Sequence, residues 1–182
     1  MTGTRAPERI ETARLLIRRP RMSDAEAIFA RYASDREVTR FLSWPTHESL
    51  DQTRAFLAFS EAEWGERPAG PYLAESRVDG TLLGSTGLAF ETPQRAVTGY
   101  VLAKDAWGRG YATEALQAMV EAARDLGLRR LQAFCHPEHR LSWRVLEKCG
   151  FAREGTLRRF AEFPNLTPEG PCDVLLYARV FP

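Results

Sequence analysis

Long apolar runs, paired cysteines and an excess of either charge sign are all missing from this chain. No apolar stretch approaches the roughly 20 residues that a membrane-spanning helix needs. The opening residues, Met-Thr-Gly-Thr-Arg-Ala-Pro-Glu, lack the apolar segment of a signal peptide. Three cysteines, an odd number at wide spacing, argue against a disulfide framework. We therefore expect a cytoplasmic protein without a membrane partner, in which Cys135, Cys149 and Cys172 are small buried side chains.

Charge and composition exclude further classes of protein. The 25 basic and 24 acidic residues leave a formal net charge of +1, which gives no basis for nucleic-acid binding. Apolar residues make up 44% of the chain and charged residues 27%, values that are ordinary for a globular protein. A length of 182 residues suits one domain, so we expect a single domain over residues 1–182. The sequence is compatible with a homodimer and does not require one.

One segment, from Cys135 and His136 to His139, carries side chains that can bind a metal. Adjacent Cys and His side chains diverge if a strand continues here, and Pro137 interrupts the segment. No second cysteine pair follows at the spacing of a zinc site. We therefore predict no metal site.

Residue periodicity predicts alternating strands and helices. Ser23-Asp24-Ala25-Glu26 and Ser49-Leu50-Asp51-Gln52 both have the form of a capping box, which predicts a helix start at each. The period of two predicts strands at residues 15–19, 72–77, 82–90, 96–102, 131–135, 151–157 and 173–180. Two more helices are predicted, one that Gly127 ends and a short one that Gly150 ends. Segregated antiparallel strands with one strand-helix-strand crossover indicate an α+β sheet covered by helices.

The most informative feature is a strand, a glycine turn and a helix in direct succession. Residues 99–102 form the end of an apolar strand, and residues 107–116 contain Gly108 and Gly110 before a strongly periodic helix. Such a helix start has unpaired N–H groups and favours anions, phosphates above all. It lacks the lysine of a P-loop and the third glycine of the dinucleotide fold. By spacing alone, a plain structural turn remains an alternative.

These segments resemble the acetyl-CoA pyrophosphate loop of the GNAT superfamily of N-acetyltransferases, whose pattern is Gln/Arg-x-x-Gly-x-Gly/Ala. Gly110 and Ala112 match its last two positions, while Trp107 stands where Gln or Arg is usual. Residues 99–100, 107–115 and 142–151 are similar to the branch of ribosomal-protein-alanine N-acetyltransferase-like enzymes. The resemblance implies a mixed, mostly antiparallel sheet of about seven strands with about four helices. In that fold, the strands at residues 96–102 and 131–135 are parallel but splay apart, and the pantetheine arm enters between them.

The resemblance also implies which residues bind acetyl-CoA, with CoA as the product. Backbone N–H groups of the loop would hold the pyrophosphate, Arg109 would add a charge, and N–H groups late in the preceding strand would bind the acetyl carbonyl. The implied cofactor-binding residues are Val101, Leu102, Trp107, Gly108, Arg109, Gly110, Tyr111, Ala112, Thr113, His139 and Ser142.

Ser142 is the candidate proton donor to the leaving thiolate, because the branch has a Ser near the cofactor sulfur. His139 replaces the Asn that normally precedes this Ser by three residues, and its imidazole could still donate one hydrogen bond. Many members of the branch carry a Glu where this chain has Val97. Glu91 and Glu162 are therefore the candidate general bases, acting through a water relay. Ser142 and His139 have the alternative role of capping a helix.

Acceptor recognition is predicted to depend on the aromatic-rich loop at residues 40–48 and on a late loop at residues 160–164. Phe41 and Trp44 are the candidate substrate-binding residues, with ordinary packing as the alternative. The leading hypothesis is an acetyl-CoA-dependent N-acetyltransferase acting on a small-molecule amine or a protein N-terminal amine in a ternary complex. The main alternative is a non-catalytic acyl-CoA-binding or sensing domain. A nucleotide-binding protein is a third hypothesis, without an accompanying motif.

Overall fold

The computed structural model describes residues 5–166 and 170–182. Its β-strands are β1 (Arg9–Glu11), β2 (Leu15–Arg18), β3 (Pro71–Ser76), β4 (Leu82–Thr92), β5 (Arg95–Leu102), β6 (Arg130–Cys135), β7 (Ala152–Glu162) and β8 (Pro171–Val180). Its α-helices are α1 (Ala25–Ile28), α2 (Arg36–Thr39), α3 (Leu50–Glu66), α4 (Tyr111–Asp125) and α5 (Arg140–Lys148). Within the described ranges, no helix combines the length and hydropathy that crossing a bilayer requires.

The strands form one mixed sheet, as the sequence predicts. Their order is β1-β2-β3-β4-β5-β6-β8-β7, and all neighbours are antiparallel except β5 and β6. Within the described residues the sheet has eight strands where about seven are predicted, because a short edge strand at Arg9–Glu11 pairs with β2. Three residues are too few for a recognisable period of two.

The parallel pair opens into a gap, which confirms the predicted splaying. Backbone pairing between β5 and β6 extends only from Arg95 with Arg130 to Val97 with Gln132. Beyond this point β5 continues to Leu102 and β6 to Cys135 without pairing to each other. The gap therefore presents unpaired strand backbone next to the start of α4.

Two hydrophobic cores lie on opposite faces of the sheet. Helices α4 and α5 cover one face, where Leu116, Met119 and Leu131 are fully buried. The other face is covered by α1 to α3 around Ile28 and Leu57. Burial of this apolar surface is the main favourable term that fixes both helix layers on the sheet.

The two predicted capping boxes have different outcomes. At α3, the side chain of Gln52 accepts from the backbone N–H of Ser49, and the predicted box is confirmed. The box at Ser23 and Glu26 is wrong. Asp24 instead accepts from the backbone N–H of Arg21 at 2.7 Å, and a 3-10 turn begins at Met22 before α1. Asp24 is fixed there by its ion pair with Arg18, a contact to β2 that no local pattern reveals.

The last two strands are longer than predicted, and the environment of one cysteine differs. β7 runs to Glu162 past an irregularity between Leu157 and Ala161, where Arg159 has a φ of +46°. Such a bulge interrupts the alternation on which the prediction depends. Cys135 and Cys149 are buried as expected, but Cys172 is half-exposed because it lies at the beginning of β8.

Candidate active site

The loop between β5 and α4 supplies an open helix N-terminus. Gly108 and Gly110 have φ angles of +72° and +81°, in the left-handed region that favours glycine. Gly110 is the N-cap of α4, and within the described residues no side chain caps this helix. The N–H groups of residues 111–113 therefore have no intrahelical acceptor. A Cβ at Gly108 would meet no atom within 4 Å, so there is room for a phosphate group beside these donors.

Trp107 connects this loop to the end of β5. Its indole Nε1 donates a hydrogen bond to the carbonyl oxygen of Leu102 at 2.8 Å. Val101 and Leu102 are buried as the last residues of the strand. The residue that departs from the family pattern thus makes a structural contact that joins the loop to β5. Arg109 is exposed, with its guanidinium 5.2 Å from the ring centre of Tyr111.

A second fixing point comes from the turn between β1 and β2, which the sequence analysis missed. Glu114, in the first turn of α4, accepts from Thr12 Oγ1 at 2.6 Å and from the backbone N and Nε of Arg14, both at 2.7 Å. Arg14 Nη1 in turn donates to the carbonyl oxygen of Arg109 at 2.8 Å. Burial alone would raise the pKa of Glu114, but these hydrogen bonds and the charge of Arg14 outweigh it and lower that pKa. About 100 residues of sequence separate the partners, so no motif indicates the contact.

Ser142 lies in the first turn of α5, opposite β5. The phenol of Tyr100 donates to the carbonyl oxygen of Ser142 at 2.6 Å, and the two hydroxyl oxygens are 3.1 Å apart. Burial raises the pKa of Tyr100, partly opposed by the hydrogen bond to Ser142, so the phenol keeps its proton at neutral pH. Tyr100 belongs to a segment that resembles the family, but the sequence alone does not indicate its contact with Ser142.

His139 is the N-cap residue of α5 and makes no side-chain cap among the described residues. Its ring stacks on Phe41 with centroids 4.8 Å apart, and His136 stacks on the same ring at 5.1 Å. Burial, assisted by the neighbouring His136, lowers the pKa of His139 to about 4. The imidazole is therefore neutral at physiological pH and joins α5 to the aromatic-rich loop.

A cleft of about 400 Å³ opens on the sheet face that α3 partly covers, and we call it the central cleft. Its floor is formed by Ala89, Val97 and Gly99 of the two central strands, and both sides of the β5–β6 gap border it. The predicted residues Phe41, Trp44, Val101, His139 and Ser142 are all brought together in its lining. Its other aromatic lining residues are Phe59, Tyr100, Phe134, Phe160 and Phe163.

Asn165 holds the aromatic-rich loop over the cleft. Its Nδ2 donates to the carbonyl oxygens of Thr39 and Trp44 at 2.8 and 2.9 Å, and its Oδ1 accepts from the backbone N–H of Thr46 at 2.8 Å. Residues 160–162 of the predicted late loop belong to β7, and Asn165 just beyond that loop joins this end of the strand to the aromatic-rich loop. Asparagine in a loop is common, which is why the sequence alone does not mark it.

The two candidate bases are not in the cleft lining. Glu91 accepts from Gln132 Nε2 at 2.8 Å and pairs with Arg95 at 2.8 Å, at the end of the parallel pair that is closed by hydrogen bonds. Glu162 is exposed at the end of β7, although Ala161 and Phe163 on either side of it line the cleft. Val97, at the position of the family Glu, lies on the cleft floor.

The segment from Cys135 to His139 shows no metal geometry. Within residues 5–166 and 170–182, no group of three His, Cys, Asp or Glu side chains is placed to hold a metal ion. Burial raises the pKa of the Cys135 thiol to about 12, so the metal-binding thiolate form is disfavoured.

An open helix start beside splayed parallel strands is the arrangement of the acyl-CoA-dependent transferases that the sequence resembles. A profile of the Acetyltransferase (GNAT) domain matches residues 14–152, and the chain belongs to this family. The protein is thus an acetyltransferase that takes its acetyl group from acetyl-CoA.

Two curated relatives come from Bacillus. The uncharacterised N-acetyltransferase YoaA of Bacillus subtilis is 33% identical over 162 residues, covering 87% of this chain and 90% of the relative. The uncharacterised N-acetyltransferase p20 of Bacillus licheniformis is 28% identical, covering 84% and 87%.

Solved structures share the whole fold. A GNAT acetyltransferase from Bacillus anthracis superposes with a TM-score of 0.81 and 27% identity, covering 94% of this chain and 98% of that one. RimL, a ribosomal L7/L12 alpha-N-protein acetyltransferase in complex with coenzyme A, gives 0.83 and 23%, covering 96% and 98%. The second likeness is one of fold, and that fold is the one expected for the branch that the sequence resembles.

Proposed function

We propose that this protein transfers the acetyl group to the nitrogen of a primary amine. The acceptor is either a small-molecule amine or the N-terminal amine of a protein or peptide. The observation that carries the proposal is that the β5–β6 gap opens directly into the central cleft, next to Ser142. A cofactor arm in the gap and an acceptor in the cleft would place thioester and amine side by side. Placement of this kind supplies much of the rate enhancement in such bimolecular transfers.

Acetyl-CoA supplies an activated thioester, and the residues of the chain hold it. In this proposal the N–H groups of residues 108–113 bind the pyrophosphate, with Arg109 as an additional charge. Backbone N–H groups near Val101 and Leu102 bind the acetyl oxygen. We also propose that residues 1–182 form a single acetyltransferase domain.

The transfer forms a bond from the amine nitrogen to the acetyl carbon and breaks the carbon–sulfur bond. Ser142 would pass a proton to the leaving thiolate and recover one from water, which in turn takes up the proton that the amine releases. Tyr100 would position Ser142 through the carbonyl and hydroxyl oxygens of that serine. The amine nitrogen must lose a proton, and an α-amino group with a pKa near 8 does so readily at neutral pH. Glu162, between two cleft residues, is the base that water could connect to the amine, whereas Arg95 already neutralises Glu91.

The proposal is tested by measuring thiol release from acetyl-CoA with a panel of primary amines and N-terminal peptides, beside calorimetric titration with CoA. We expect CoA binding and turnover of at least one amine class. Binding without turnover on any amine would favour the acyl-CoA sensor instead, and absence of binding would contradict both.

The cofactor placement has a matched pair of variants. Gly108 and Gly127 have φ angles of +72° and +73°, and a Cβ at either meets no atom within 4 Å. Gly108→Glu adds a negative side chain at the proposed phosphate site, whereas Gly127→Glu adds the same strain at the far end of α4. We expect CoA affinity to fall about 100-fold, or roughly 2.8 kcal/mol, only in the first variant. Equal affinities would exclude this loop as the phosphate site.

A further inference from the structure

One carboxylate in the central cleft has no role in the transfer described above. Glu63 of α3 lines the cleft, and among the described residues it is the single acidic side chain of a lining that contains no Lys or Arg. Within the described part of the chain Glu63 has no ion pair. Arg67, one turn further along, is exposed and lies outside ion-pair distance.

The position of Glu63 in the fold sets its distance from the reacting centre. Gly70 is the residue directly before β3. The Cβ of Glu63 is 3.4 Å from a Cβ built on Gly70, so Glu63 lies beside the start of this strand. Pro71 of β3 pairs with Gly87 of β4, which pairs with Gly99 of β5. Two strand spacings of about 4.8 Å put the root of Glu63 roughly 10 Å from β5, with the gap beyond. Glu63 is thus too remote to contact an amine at the thioester.

The floor between these two points is open at β5 and covered at β4, where the backbone of Gly70 and Pro71 lies within 3 Å of a Cβ built on Gly87. Gly87 and Gly99 face each other across β4 and β5, and a Cβ at Gly99 would meet nothing within 4 Å. Phe59, half-exposed at 56%, and Trp44 border the same cleft. A narrow apolar chain can therefore lie over Gly99 and pass along Pro71, which also lines the cleft, toward Glu63. Aromatic faces attract a cation at the end of such a chain.

We propose that the acceptor carries a second positive charge, separated from the reacting amine by an apolar spacer, and that Glu63 binds this charge. This inference rests on the proposed amine acetylation and names its substrate class. The lining favours a cation because His139 is neutral and Glu63 gives the cleft its only formal charge among the described lining residues. Two sources share this chemistry: an α,ω-diamine, and a peptide with a basic side chain near its N-terminus.

The test uses matched substrates that differ by one charge. Kcat/KM is measured for 1,6-diaminohexane against 1-aminohexane, and for a peptide with lysine against one with norleucine at its second position. We expect the charged member of at least one pair to be preferred by about tenfold, the value of one partly buried charge pair. Which pair shows the preference identifies the source.

Variants of α3 connect this preference to Glu63. Glu63→Gln should remove the preference by lowering kcat/KM of the charged member about tenfold, which corresponds to about 1.4 kcal/mol. Glu63→Lys should reverse the preference, so that 6-aminohexanoate, whose second charge is negative, becomes a better acceptor than 1,6-diaminohexane. Glu61→Gln makes the same charge change at an exposed position of the same helix outside the cleft lining and should leave the preference intact.

The outcomes separate the two proposals. Turnover of amines without preference for the second charge, or a preference that survives Glu63→Gln, would overturn the role of Glu63 while amine acetylation stands. CoA binding without turnover of any amine would overturn the proposed function and this inference with it.

Discussion

At the residue scale, the contact between Tyr100 and Ser142 determines how the proposed proton donor is held. The phenol donates to the Ser142 carbonyl, which fixes this turn of α5 and leaves the Ser142 hydroxyl proton free to turn toward the leaving sulfur. Ser142 itself lines the central cleft, into which the β5–β6 gap opens. The alternative role of Ser142, capping α5, does not require that this residue line the cleft.

Replacing Ser142 by Ala should lower kcat by about 100-fold, the usual contribution of a positioned proton donor. The CoA dissociation constant should change by about twofold at most, because the loop backbone supplies the proposed phosphate contacts. Steady-state kinetics and calorimetry on the same preparation measure both quantities. Unchanged kcat would return Ser142 to a capping role.

Tyr100→Phe is the companion variant. It leaves the Ser142 carbonyl without its donor, and we expect a loss of about 1 kcal/mol of stability. A positioning role also predicts a lower kcat with little change in the amine KM. A loss of stability with normal kcat would mean that Tyr100 only supports the packing of α5.

His139 makes the stability of the protein depend on pH in a defined direction. Its folded pKa is about 4, below the ordinary 6.5, so the unfolded chain binds more protons between these values. The contribution of neutral His139 to the free energy of unfolding is therefore fully present above pH 6.5 and is lost as the pH falls toward 4. From pH 7 to pH 5 the loss due to His139 is about 2 kcal/mol.

Urea unfolding of the parent and of His139→Asn at both pH values isolates this effect. The variant should lose about 2 kcal/mol less than the parent on acidification, because Asn does not titrate. His136 also has a lowered pKa, through burial and nearby Arg40 against the opposing effect of Glu138, and it remains in both proteins. Parallel losses in the two proteins would contradict the buried, neutral state of His139.

At the element scale, α4 is held at its start by a different part of the chain. Glu114 connects it to the β1–β2 turn, and Arg14 extends this connection to the loop carbonyl of Arg109. A loop that binds phosphate through its backbone depends on such an anchor, because its own glycines allow many conformations.

Glu114→Gln should lower CoA affinity by about fivefold and the stability by about 1 kcal/mol, since it replaces a charged acceptor in this anchor. Glu121→Gln, at an exposed position of the same helix, is the control and should change neither. Calorimetric titration and thermal unfolding measure the two effects. Loss of stability with unaltered affinity would show that the anchor does not shape the loop.

Elements were predictable where local chemistry decides them. The strong period of α4 and the left-handed Gly127 and Gly150 are readable in the sequence, and the structure has them where expected. The capping box at Ser23 failed because an ion pair from β2 to Asp24 overrides the local pattern. The same reason explains why Glu114 and Asn165 were missed: their partners are brought near only by the tertiary fold.

At the scale of the whole molecule, the sheet order was predictable because one crossover among antiparallel strands leaves few topologies. The central cleft was predictable only in part. Phe41 and Trp44 belong to a recognisable loop, whereas Glu63 lies on a helix face with no motif and enters the cleft through the register of β3, β4 and β5. An acceptor site assembled from several elements has no single sequence signature.

The gap makes a prediction about the protein as a whole, because a bound cofactor arm would act as an added strand. Hydrogen exchange with mass spectrometry, with and without CoA, should show slower exchange at residues 98–102 and 108–113. Peptides covering residues 171–180 are the internal control, since β8 is already paired with β6 and β7 on both sides. Protection spread evenly over the sheet would mean that CoA stabilises the fold globally, by mass action alone. Protection confined to the loop would mean that phosphate binds while the gap stays empty, and the proposed meeting of thioester and amine beside Ser142 would then be wrong.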